Sequence, residues 1–248
     1  MRKAFMLLTV TALSMSAPAS SHDLTRLGKV DFKVECNAAA AGEFHRAMAL
    51  YHSFAWPAAT AAFEAIAKAD PACGMAHWGR AMVMLDNPFI WPANLPPQKL
   101  NDIDAALKVA EAAGLKSQRE KDYVAAVRVF VADHDKLNHR TRLQSFEDAM
   151  GKLAASNPND KEAAILHALV TSANFNPADK EYANQLKAAR ILEPIFKTHP
   201  DHPGAAHYII HSYDYPPIAK HGVDAAKRYA AIAPDAPHAQ HMPSHIFT

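Results

Sequence analysis

Histidines are the residues of this chain best placed to bind or react. Of fifteen histidines, eight lie between His199 and His245. His207 and His211 stand four apart and Asp214 follows three residues later, so on a helix all three share one face. His238, His241 and His245 are spaced by three and then four, and they form a second stripe. Neutral imidazole is the commonest protein ligand for first-row transition metals. Two such stripes brought together would offer four nitrogens, or three with an open position. Asp214 could ligate directly or orient a ring from behind. A nitrogen-rich set without thiolates suits zinc, copper or iron. Intrinsic affinity orders favour copper, and the spacing does not choose among them.

The remaining candidates carry less. His199, His202 and His221 read as capping or solvated residues, and His45 and His77 as structural ones. His134 and His139 flank a helix junction, where capping is the simplest role. Met48, Met75 and Met82 could supply thioethers to Cu(I), but methionine at helical spacing more commonly packs. Trp56, Phe89 and Trp91 border proline-rich turns and read as core or lip residues. Enzyme signatures are missing: there is no G-x-S-x-G, no glycine-rich phosphate loop and no H-E-x-x-H. His207-Tyr-Ile-Ile-His211 has the zincin spacing without the glutamate that serves as its base. The expectation is a binding protein rather than an enzyme.

The segments that carry these histidines read as helices. Glycine is scarce, strict apolar alternation is absent and half the residues are hydrophobic, which gives an all-α chain with a sizeable core. Helices are expected over 44–54, 57–68, 74–85, 102–113, 118–133, 140–156, 161–172, 179–198, 203–212 and 218–232, with another from Pro237 onward. Pro243 would kink that last helix between His241 and His245, unless the helix instead starts at Met242 or Pro243. A formal net charge of +1 speaks against nucleic acid or an anionic membrane as main partner. Arg2 and Lys3, the apolar run from Ala4 to Leu13 and Ala17-Pro18-Ala19 read as a signal peptide over residues 1–19. The run is far short of the roughly 20 apolar residues of a membrane span. The mature region, residues 20–248, is thus expected to be periplasmic or secreted. There Cys36 and Cys73 could pair, or remain two buried thiols.

The chain also repeats. Arg46-Ala47-Met48 recurs as Arg80-Ala81-Met82, and Pro200 with Pro234, His207 with His241 and His211 with His245 share the same offset of 34. A helix-turn-helix period of 34 residues resembles the tetratricopeptide repeat (TPR) family. Pro158 to Pro200 spans 42 residues, so the period is tight only at the two ends. The strings His202–Asp214 and Pro237–Phe247 further resemble a group of exported bacterial TPR proteins, a likeness that implies no activity. The TPR resemblance implies an α-solenoid of antiparallel helix pairs wound into a right-handed superhelix, with first helices lining a concave groove. On that register His207, His211 and Asp214 take groove positions 5, 9 and 12, and His238, His241 and His245 take 2, 5 and 9. His52 also falls toward the groove. The resulting expectation is a transition-metal site in the groove made by His207, His211, His238, His241, His245 and Asp214. The alternatives are a groove that receives a peptide or protein partner without metal, and a metal-dependent hydrolase or oxidase. Since the sequence stops at Phe247-Thr248, inside a first helix, the protein is expected to continue beyond it.

Overall fold

A computed structural model describes residues 24–247, and the signal-peptide reading of residues 1–19 lies outside them. The described residues are helical and contain no strand. In chain order the helices are α1 (Ala38–His52), α2 (Trp56–Ala69), α3 (Gly74–Leu85), α4 (Pro97–Ala113), α5 (Gln118–Val131), α6 (His139–Ser156), α7 (Lys161–Ala173), α8 (Ala183–Thr198), α9 (Pro203–Tyr213), α10 (Val223–Ile232), α11 (Pro237–His241) and α12 (Ser244–Phe247). Single 3-10 turns cover Pro88–Ile90 and Ala219–Gly222.

Local chemistry sets most boundaries. Side chains of Asn37, Ser117, Asn138, Asp160 and His202 accept the free backbone N–H groups at the starts of α1, α5, α6, α7 and α9. Proline occupies the first turn of α2, α4, α9 and α11, where its missing N–H is harmless. The α8 helix starts four residues later than its pattern suggests, because the Asp179 carboxylate accepts the N–H groups of Glu181 and Ala183 in a turn. Pro243 does not kink a long helix but stands immediately before a short one, its carbonyl accepting from Phe247 N–H. The α11 helix ends at His241, and α12 begins only after a turn at Met242 and Pro243.

Consecutive helices pack on one another from α1 to α10, and α9 also meets α1 and α7. Two glycines permit close helix approaches that bear on the site. A Cβ at Gly79 would overlap the Phe63 ring, and one at Gly204 would overlap the His52 ring. Gly204 is therefore what lets the start of α9 sit against the end of α1. The extended segment before α1 buries Phe32 among Phe44, Trp78 and Tyr123. The same segment reaches the other end of the chain, where Lys29 N–H donates to Asp201 and Arg26 pairs with Asp235. A disulfide joins Cys36 to Cys73, linking the approaches to α1 and α3. Met48, Met75 and Met82 are all core residues.

Candidate metal centre

The end of α1, the α9 helix and the α11–α12 corner bring the predicted histidines together. His207, in the middle of α9, is completely buried. Its Nδ1 lies 2.6 Å from the backbone carbonyl of His52, an acceptor only, so Nδ1 carries the hydrogen and Nε2 carries a lone pair. That lone pair accepts from His238 Nε2 at 3.0 Å, the contact a shared metal ion would replace. One turn along α9, His211 is half-buried, and its Nε2 is buried without a hydrogen-bond partner. One nitrogen from each of His207, His211 and His238 falls within 4.8 Å of the others, a spread that could hold a metal ion. Two nitrogens bound to zinc at about 2.0–2.1 Å and near the tetrahedral angle stand about 3.3–3.4 Å apart, so the His207–His238 pair needs only a small adjustment.

The electrostatics favour the ligating form. Burial first, and the neighbouring imidazoles second, push His207 and His211 well below the ordinary histidine range. Burial and the nearby His241 and His245 bring His238 down to about 4. Neutral rings are the form that binds metals, so no proton need be displaced at neutral pH. The walls are aromatic. Phe54 lies edge-on to His207 and stacked on His238, with centroids 4.5 and 5.1 Å apart. Phe89 stacks on His211 at 4.0 Å, and Tyr229 on His207 at 5.2 Å.

The other three predicted residues make a flanking arrangement. His241 is exposed and His245 half-exposed, and their Nε2 atoms are 3.0 Å apart. Asp214 accepts from His245 Nδ1 at 2.6 Å. It thus occupies the orienting place rather than facing the nitrogens. Ring centroids of His211 and His245 are 5.9 Å apart, and those of His238 and His241 6.1 Å.

Sequence reasoning missed a second buried group nearby. His52, expected toward a groove, and His202, expected to be capping or solvated, are both buried beside Glu162. Their donors come within 4.8 Å of one another, and by distance this group too could hold an ion. Hydrogen bonding distinguishes it. His202 does cap α9, its Nδ1 accepting from Ala205 N–H, and its Nε2 donates to Glu162 at 2.8 Å. Burial holds the Tyr208 phenol protonated, so it donates to His52 Nδ1 at 2.9 Å, leaving His52 Nε2 to donate to the other Glu162 oxygen at 2.9 Å. Every ring nitrogen is satisfied. Burial alone would raise the Glu162 pKa, but the two imidazoles outweigh it and keep the carboxylate ionised, while burial keeps His52 neutral. No local spacing points to this group, since Glu162 meets a partner 110 residues away.

Smaller expectations also moved. His134 bonds the Asn101 side chain rather than capping a helix, and Asn138, not His139, caps α6. Phe89 reaches the centre from the proline-rich insertion as a wall, not a lip. A cleft of about 730 Å³ opens beside Glu162 and His202, lined by Lys29, Lys33, Arg119 and Asp201 among others, and includes none of the five clustered histidines. Comparison with known proteins finds no matching family model, curated relative or solved structure.

Proposed function

We propose that this chain is an exported binding protein of TPR type, a right-handed α-solenoid that holds a transition-metal ion through His207, His211 and His238. One observation carries the reading. His207 is locked by the His52 carbonyl into the tautomer that turns its Nε2 lone pair toward His238, beside a His211 nitrogen that is buried and unpartnered. A buried polar atom without a partner costs about 1–3 kcal/mol, and a metal bond would relieve that cost. Orientation of a ligating ring through its other nitrogen is the arrangement metal sites use. The repeat assignment rests on the 34-residue offsets and on the packing of consecutive helices. Export rests on the leader-like residues 1–19, and a disulfide suits an oxidising compartment.

The test is metal content and thermal stability of the untagged protein. Chain purified without chelator should carry zinc or copper, and the stripped protein should gain stability on adding either ion. At a free metal concentration a thousandfold above Kd the gain is about 4 kcal/mol. His211→Ala with His238→Ala should remove both the metal and the gain. Stripped wild-type protein whose melting is unmoved by zinc, copper or iron would refute the reading.

A further inference from the structure

The two closest nitrogen pairs in the cluster are built alike. In each, one ring has its Nδ1 anchored by an oxygen acceptor: His207 by the His52 carbonyl at 2.6 Å, His245 by the Asp214 carboxylate at 2.6 Å. In each, the Nε2 so exposed meets the Nε2 of a second histidine at 3.0 Å, that of His238 in one pair and His241 in the other. An anchored ring facing an unanchored one is an economical way to fix one ligand while the other swings to fit. His211, with its unpartnered Nε2, neighbours both pairs: its ring centroid lies 4.8 Å from His207 and 5.9 Å from His245.

One ion cannot serve all five rings as they stand. Ligands on a common ion are separated by at most about twice the bond length, roughly 4.2 Å for zinc and imidazole. His207, His211 and His238 form a set close to that limit, and neither His241 nor His245 belongs to it. The outer pair also differs in access, since His241 is exposed and His245 half-exposed whereas His207 is fully buried.

From this geometry we infer that His241 and His245 form a second metal site beside the inner one, so that the protein holds two divalent first-row ions in an all-histidine centre. The inference rests on the reading of the inner site as a metal site. With two protein ligands, the outer ion keeps at least two positions for water or an added anion, and it exchanges faster and binds more weakly than the inner ion. Asp214 is a positioning residue for it, holding His245 with Nε2 outward.

The experiment is titration of the stripped, untagged full chain with Zn(II) alone, by calorimetry and by equilibrium dialysis with metal analysis. Wild type should bind two ions in two resolved steps. His241→Ala with His245→Ala, both at a solvent-accessible corner, should bind one ion and keep the tighter step unchanged. Asp214→Asn should weaken only the looser step, by about tenfold, in the range seen for residues that orient a ligand. As an independent readout, two Cu(II) ions side by side should broaden each other's EPR signal in wild type, and the double variant should give a single uncoupled signal. A wild type that binds one ion, or a double variant that still binds two, would overturn the outer site while leaving the inner reading intact. If wild type binds none, both fall.

Discussion

Two buried histidine groups lie within a few residues of one another in this molecule, and they are opposites. Around Glu162, His52 and His202 spend every ring nitrogen on a hydrogen bond, and the carboxylate between them takes one from each. Around His207, the rings bond one another, His238 Nε2 to His207 Nε2 at 3.0 Å, and His211 Nε2 has no partner. The first group is fully buried around a carboxylate, whereas the second is all histidine, with His211 and His238 half-buried. What separates a structural network from a ligand set is whether a ring nitrogen is left over, as His211 Nε2 is. The two are also joined, because the residue whose ring belongs to the first group lends its carbonyl to the second.

The comparison can be broken most forcefully at Glu162. Removing the shared acceptor leaves the Nε2–H donors of His52 and His202 unpaired at about 1–3 kcal/mol each, so Glu162→Ala should cost about 2–6 kcal/mol in denaturant unfolding. Its zinc stoichiometry at saturation should nevertheless match wild type. A variant that keeps its stability but loses zinc would reverse the roles of the two groups. Breaking the disulfide is expected to come next. Cys36→Ser with Cys73→Ser opens a loop of 37 residues, which the chain-entropy treatment values at about 4 kcal/mol. The loss should be the same with and without zinc, since the bridge joins α1 and α3 remote from the corner. An altered zinc-induced shift in melting would show that the bridge also positions the site.

A third prediction uses acid. The folded pKa of Glu162 lies below its unfolded value, so its contribution is complete above the unfolded carboxyl pKa of about 4.3 and is lost as pH falls through the folded value. The stability of stripped protein should therefore decline below about pH 5, and Glu162→Gln should flatten that decline. Parallel acid profiles for the two proteins would show that the carboxylate gains nothing from its imidazoles. The smallest effect is expected at Phe89. Trimming it to Ala removes the ring stacked on His211 and should weaken zinc binding by a few-fold, with little change in global stability. An unchanged affinity would reduce that wall to packing.

Much of this was legible in the residues. The helix from Gly74 to Leu85 begins and ends where its pattern says, and the spacing of His207 with His211, and of His238 with His241 and His245, places each stripe on its own element. Boundaries failed where a side chain competed for backbone groups, as at Asp179, or where Pro243 split one pattern into two short helices. Within the site, Phe54 was expected to continue the first helix but lies in the turn after α1, and Phe89 comes from the proline-rich insertion, where no periodicity points a side chain anywhere. The helical fold and the histidine stripes were local facts, fixed by spacing of three and four residues and by caps within a turn. Which nitrogens are bound and which are free was not local. It depended on a carbonyl 155 residues from His207 and a carboxylate 110 residues from His52, brought into reach only when Gly204 let α9 lie against α1.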